Sequence, residues 1–281
     1  MSRRGGVVLA LVLPATAFMT VVFILPLGWL VRLSLDRAAD GGVLIPDVTA
    51  DNYIQFFGDP FYLAILWRSL WLSMVVTILT LLCSYPIALF LFRTRSRWRN
   101  VLAILTMSPL LVSAVVRTFG WMAILGDGGI VNGLLKSLGI IDAPIPLMNN
   151  VLGVIIGLTE IEMPTMTLAL IAGFSRLDVT LEEAARTLGA SPWRTLLRVT
   201  LPLSAPGIVI GCLITFVLVM SSFITPTLLG GGRVYVMATT IYQEALETLN
   251  WPLAATVAII LIVLFGICVG CYERLSRRWV A

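Results

Sequence analysis

The sequence predicts an all-α, polytopic membrane protein with six transmembrane helices. Three observations predict it. Of the 281 residues, 59% are hydrophobic and only 12% charged, against about 25% charged in soluble domains, and the mean hydropathy is +0.99. Stretches 5–31, 69–92, 208–229 and 253–272 contain no Asp, Glu, Lys or Arg. Each is long enough for a span of about 20 residues. Two further stretches are interrupted only by Arg117, within 101–126, and by Glu160 and Glu162, within 148–174.

The spans are expected over about 7–31, 67–92, 101–125, 148–174, 207–229 and 252–272, in one transmembrane domain covering 1–281. The first uncharged run is longer than the roughly 7–15 residue apolar core of a signal peptide, so it reads as a retained span. The segment 32–67 mixes Asp, Gly and Pro with Tyr53, Phe56, Phe57, Phe61 and Tyr62. It is too short for its own core and reads as an interfacial loop with short helical pieces. Ile130, Leu134, Leu135 and Leu138 have helical spacing and predict a short surface helix. The loop 230–252 opens on Gly230-Gly231-Gly232, a flexible hinge, followed by an amphipathic piece over 236–249.

Arginine sets the expected orientation. Arg3 and Arg4, Arg93, Arg95, Arg97 and Arg99, Arg176, Arg186, Arg194 and Arg198, and Arg274, Arg277 and Arg278 all fall on one side of a six-span chain. The positive-inside rule makes that side, with both termini, cytoplasmic. The opposite loops hold Asp36, Asp40, Asp47, Asp51, Asp59, Asp127, Asp142, Glu244 and Glu247 against Arg37, Lys136 and Arg233. Topology alone explains this acidity; attraction of cations to an entrance is the sharper reading.

One polar interruption between spans four and five stands out. Leu181, Ala184, Ala185 and Leu188 recur at helical spacing and make one apolar face, with Glu182, Glu183 and Arg186 off it. Thr180 with Glu183 reads as a capping box. Gly189 is a helix stop, and Ser191-Pro192 restarts a helix as N-cap and first residue. That second helix is expected to end at Leu201-Pro202. The segment 176–206 therefore forms a hairpin of two short amphipathic helices, suited to docking a soluble partner.

Several chemistries are excluded. Cys83, Cys212, Cys268 and Cys271 lie in expected spans and the chain has no His, so no zinc, redox or other metal site is expected. There is no G-x-x-x-x-G-K-[ST], and the one lysine, Lys136, lies on the expected outer side. Any ATP must bind a separate subunit. No nucleophile–base cluster suggests an enzyme.

The run Glu183-Ala184-Ala185, Gly189 after three residues, then Val199, Leu201 and Pro202 after nine more, resembles the EAA loop of permease subunits of ATP-binding-cassette importers. Val199 stands where that family often has Ile. Arg117-Thr118-Phe119-Gly120-Trp121, Gly126-Asp127-Gly128-Gly129, the run 225–232 and Asn250-Trp251-Pro252-Leu253 look like the spermidine/putrescine subfamily. The likeness covers nearly the whole chain. It implies the type I importer transmembrane fold, with Glu183, Ala184, Ala185, Gly189, Leu201 and Pro202 coupling to an ATPase. It also implies a second permease subunit, two ATPase subunits carrying ATP and Mg, an external binding protein, the lipid bilayer of the inner membrane, and neither a cofactor nor nucleic acid on this chain. Relatives of this appearance also carry opines or amino-acid-like compounds.

Glu160, Glu162 and Thr225 are the candidates for the substrate pathway. An ionised carboxylate at a span centre costs about 2.5–3.5 kcal/mol, and residues two apart point about 200° apart on a helix. Pro164 leaves the Glu160 carbonyl without its i+4 donor and predicts a kink. Arg117 can reach the depth of Glu160, as an ion pair or as a gate. Thr225-Pro226 would interrupt span five, either lining the cavity or only kinking the helix. A channel or secondary transporter working without ATP would also explain the carboxylates, though not the hairpin.

Overall fold

The structure is a computed structural model that describes residues 3–39, 42–94, 96–174 and 179–280, with side chains described over 12–39, 42–94, 96–174 and 180–274. Asp40, Arg95 and Arg176 lie outside the described residues, as do the side chains of Arg3, Arg4, Arg277 and Arg278. Six stretches are long and apolar enough to cross a membrane: Val12–Ser34, Pro60–Arg93, Ala114–Ser137, Val151–Phe174, Pro192–Ser221 and Trp251–Arg274.

The chain forms two compact units, one of residues 1–63 and 240–263, the other of 64–239 and 264–281. The first begins with α1 (Arg3–Ser34) and a small antiparallel pair, β1 (Arg37–Ala39) and β2 (Val43–Ile45), then α2 (Asp51–Gly58) and the start of α3 (Pro60–Arg93). It also takes most of α12 (Met237–Leu246) and the first half of α13 (Trp251–Val280). The strand pair was not anticipated from the sequence; three residues a side carry too little pattern to read. The expected outer acidity is partly neutralised within the chain. Arg32 pairs with Asp36 at 2.5 Å, and Arg37 with Asp47 at 3.2 Å and Asp51 at 2.7 Å. Tyr62 donates to Glu244 at 3.1 Å.

The second unit holds α4 (Trp98–Met107), α5 (Ala114–Leu125), α6 (Ile130–Ser137), α7 (Val151–Phe174), α8 (Val179–Thr187), α9 (Pro192–Thr195), α10 (Leu201–Ser221) and α11 (Ile224–Leu229). Its spine is the pair α7 and α10. A Cβ on Gly173 would lie 2.4 Å from the Gly207 Cα, and one on Gly207 2.7 Å from the Gly173 Cα. The two backbones therefore touch. Gly211, one turn on, leaves room for the Met166 sulfur. Small residues four apart are how membrane helices approach this closely, because lipid gives apolar side chains no reason to prefer each other. Gly157 plays the same part under Leu229 and Thr225 of α11. Val154, Leu158, Leu229 and Val76 are fully buried around it.

Two expected spans are broken. The run over 101–125 divides into α4, a 3₁₀ turn (Ser108–Leu111), extended Val112, and α5 capped by Ser113. Pro109 is the cause. It cannot donate to the Leu105 carbonyl, and the Ser108 hydroxyl donates to that carbonyl instead at 3.0 Å. The run over 207–229 breaks at Ser222 and Phe223, between α10 and α11.

We expect Gly207→Ala to destabilise the protein by about 1–3 kcal/mol, the usual effect of overpacking. Gly266→Ala, where a Cβ meets nothing within 4 Å, should be neutral. Detergent thermal-melting curves check both; equal melting of the two variants would contradict the helix contact.

Candidate functional site

The polar centre of the second unit forms where α5 meets α7. Pro164 lies inside α7, and its missing N–H frees the Glu160 carbonyl. Arg117 of α5 fills the vacancy. Its Nη2 donates to the Glu160 carbonyl at 2.8 Å and to the Glu160 carboxylate at 2.7 Å. Its Nη1 donates to the Ile161 carbonyl at 3.3 Å and the Pro109 carbonyl at 3.5 Å. One guanidinium thus caps both broken backbones and neutralises a carboxylate. The Trp121 indole, one turn along α5, donates to the other Glu160 oxygen at 3.0 Å. In the sequence analysis Trp121 has no role of its own; its four-residue spacing from Arg117 was the available signal.

Glu160 and Glu162 separate as the helix geometry requires. The Glu160 side chain keeps 34% of its surface exposed while Arg117 keeps 10%. Glu162 is buried on another face of α7, and among the described residues no hydrogen bond or ion pair reaches its carboxylate. Thr225 is not on an open surface. It is buried and shares a 3.1 Å hydrogen bond with Thr118, which joins α11 to α5. Gly157 lets α11 pack onto α7 at this point.

The hairpin is built from the turn at Gly189, which has φ +84°. The Gly189 N–H reaches the Arg186 carbonyl at 3.0 Å and the Ala190 N–H the Ala185 carbonyl at 3.0 Å. This doubly bonded stop needs a left-handed residue. Ser191 caps the restart by accepting from the Arg194 N–H, with Pro192 first. Two expectations are corrected. Thr180 lies inside α8, which among the described residues begins at Val179, rather than ahead of it as an N-cap. The second helix does not end at Leu201-Pro202; it continues through a π-helical turn (Leu196–Thr200) into α10. The Leu201 N–H reaches back five residues to the Leu196 carbonyl, so the wider turn ends just before Pro202 and the helix runs on through it.

The apolar face of α8 stays open. Leu181 and Leu188 are exposed, as are Glu183 and Ala184, with Ala185 half-buried. Trp193, Leu197, Leu201 and Pro202 continue the exposed surface. Glu182, by contrast, is buried and accepts from Arg93 at 2.6 Å and Thr200 at 2.6 Å. Burial pushes the Glu182 carboxyl up, but the Thr200 and Arg93 hydrogen bonds and the charges of Arg93 and Arg186 outweigh it and hold it below the usual carboxylate range. This stabilisation is present above the ordinary carboxylate pKa and lost as the pH falls through the depressed folded value. Sequence reasoning missed Glu182, Arg93 and Thr200, whose partners are 89, 107 and 18 residues apart.

Arg117→Gln should lower thermal stability more than Glu160→Gln, since it also uncaps three carbonyls. The double variant should melt above the sum of the single losses, because breaking a buried pair costs about 3–5 kcal/mol and removing both partners less. Strict additivity in a melting-temperature cycle would contradict the pair.

Residues 7–281 match the family of binding-protein-dependent transport system inner membrane components. The chain is 37% identical to the spermidine/putrescine transport system permease protein PotB of Haemophilus influenzae, over 82% of this chain and 80% of that one. It is 35% identical to PotB of Escherichia coli (strain K12), over 82% and 83%. A bacterial alginate importer solved with its pentasaccharide-bound periplasmic protein superposes with TM-score 0.79 at 20% identity, covering 98% of this chain and 96% of that one. The MetNI methionine importer, solved facing inward, gives TM-score 0.59 at 18% identity, covering 79% and 99%. These two likenesses concern the fold. The Pro-broken, Arg-capped helix pair and the open hairpin are thus features of a transport subunit and not of an enzyme, and the chain belongs to the inner membrane permease family of ATP-binding-cassette importers.

Proposed function

We propose that this permease imports a polyamine such as spermidine or putrescine, or a closely related small amine, by alternating access. The observation that carries the substrate class is the similarity to PotB over four-fifths of the chain. The chemistry of span α7 supports it. Glu162 is a buried carboxylate without a hydrogen-bond partner among the described residues, and Glu160 keeps a third of its side chain exposed beside Arg117. Intramembrane carboxylates mark transport pathways, and an ammonium group is the complementary charge. Glu160 and Glu162 are the pathway residues of this reading. Arg117 holds Glu160 in place or releases it as a gate, and Thr225 fixes α11 beside them. An opine or an amino-acid-like amine would satisfy the same carboxylates.

By the positive-inside rule the arginine-rich loops favour a cytoplasmic hairpin and cytoplasmic termini in this reading. The exposed Leu181, Ala184, Leu188 and Trp193 surface then docks an ATPase subunit that carries ATP and Mg. Glu183, Ala185, Gly189, Leu201 and Pro202 shape that surface. A second permease subunit, a second ATPase and an external binding protein complete the assembly. ATP binding draws the hairpins together and turns the cavity outward, and a ligand shifts that equilibrium only through contacts that differ between the two states.

Cells lacking this gene should lose energy-dependent uptake of labelled spermidine or putrescine and regain it with the wild-type gene. Glu162→Gln should restore normal protein levels with at least about tenfold lower uptake, the weight of one lost ion–ammonium contact. Full uptake by the variant would remove Glu162 from the pathway, and retention of uptake in the deletion strain would remove the amine reading.

For the hairpin, Gly189→Val should abolish co-purification with the ATPase. No atom lies within 4 Å of a Cβ there, so the cost is backbone strain of about 1–2 kcal/mol in the left-handed region. Glu183→Ala should weaken ATPase association without changing the permease melting temperature, since that side chain is exposed. Normal association by both variants would contradict the docking role.

A further inference from the structure

A docking face does not by itself move a membrane span. The elements that α8 grips decide where a push on the hairpin is delivered. Among its described apolar residues Leu181 and Ala184 are exposed and Ala185 is half-buried, so an apolar core does not fix it. Among the described residues of α8, the only buried side chain is Glu182. Its Oε1 accepts from Arg93 Nη2 at 2.6 Å and from Thr200 Oγ1 at 2.6 Å, while Arg93 Nη2 also donates to Thr200 Oγ1 at 3.2 Å. The three bonds close a triangle. Its corners are the last residue of α3, the first turn of α8 and the last residue of the π-helical turn that feeds α10.

The triangle lies where α8 would otherwise be loosely held. Toward α10 the chain leaves α8 through the Gly189 turn alone. Charge-assisted bonds are short, directional and about twice as strong as neutral ones. A second rung, Tyr85 to Ser204 at 3.1 Å, ties α3 and α10 together further along. A π-helical turn often marks a functional site. Thr200 ends that turn.

We infer that Arg93, Glu182 and Thr200 are positioning residues that make α8, the end of α3 and the start of α10 move as one body. A displacement of the hairpin by the ATPase then reaches two spans at once. This rests on the docking role proposed above.

The test uses the complete complex with its ATPase subunits and binding protein, reconstituted in proteoliposomes. Spin labels at Phe90→Cys on α3 and Thr187→Cys on α8, both exposed, in an otherwise cysteine-free chain, report the separation of the two elements without any substrate. In the wild-type background that separation should be the same in the nucleotide-free and vanadate-trapped states. With Glu182→Gln it should broaden or shift between states, and substrate moved per ATP hydrolysed should fall about tenfold or more, the factor expected for one lost charge-assisted bond. The exchange Arg93→Glu with Glu182→Arg should restore both in part. If Glu182→Gln does not assemble, Thr200→Val, which removes one corner without stranding a charge, is read in the same way. An unchanged separation overturns the inference. So does an unchanged ratio, or a loss of uptake that only follows a loss of assembled complex. Failure of the docking role has a different signature, ATPase subunits that bind normally to Gly189→Val.

Discussion

The missing N–H of Pro164 is the constraint around which the centre of this protein is arranged. It frees the Glu160 carbonyl inside a span, where water cannot take it up. Backbone groups in such a place must be satisfied by protein. Arg117 does so, and in the same reach neutralises the Glu160 carboxylate and meets the carbonyls of Ile161 and Pro109. A charged side chain that would be costly alone becomes the joint between α5 and α7. Thr118 and Trp121, on the same helix as Arg117, add bonds to Thr225 and Glu160. Two breaks, at Pro109 and at Ser222-Phe223, flank this joint on the chain. Non-helical backbone of this kind occurs in transporters where it lines a path or is covered by protein.

A second polar joint sits at the hairpin end, and the contrast between the two is informative. The α7–α10 spine between them makes backbone contact at Gly173 and Gly207. Such a spine resists deformation, because packed interiors have few intermediate arrangements. The polar joints can break and reform with modest changes in partners. A transport cycle needs both properties, a rigid pair that keeps its shape and contacts at each end that can differ between states. The exposed apolar face of α8 fits this division. It contributes little to the isolated chain and becomes useful when a partner covers it.

Much of this was legible from residue order alone. Four uncharged runs, with two more broken only by Arg117 and by Glu160 and Glu162, are a strong signal because the bilayer admits few alternatives. Gly189, Ser191 and Pro192 announced a helix stop and restart through local backbone chemistry, and the structure shows both. The freed Glu160 carbonyl was foreseeable from Pro164. What could not be read depended on tertiary partners. Nothing in the run 179–187 distinguishes buried Glu182 from exposed Glu183, since the choice is made by Arg93, 89 residues away. The bond between Thr225 and Thr118 was equally hidden, because it depends on Gly157 of a different helix letting α11 approach. The end of the second hairpin helix was misplaced because a π-helical turn absorbs Pro202, and that turn has no sequence signature. The β1–β2 pair was too short to show alternation.

The central claim is that this chain is the passive, ATP-coupled half of an importer. The most direct measurement is accumulation of labelled spermidine in proteoliposomes containing the permease complex and its ATPases, with ATP inside and the loaded binding protein outside. The account predicts uptake against a gradient that stops when either ATP or the binding protein is omitted. Equal flux without ATP, running only down the gradient, would contradict it and make the chain a channel or carrier.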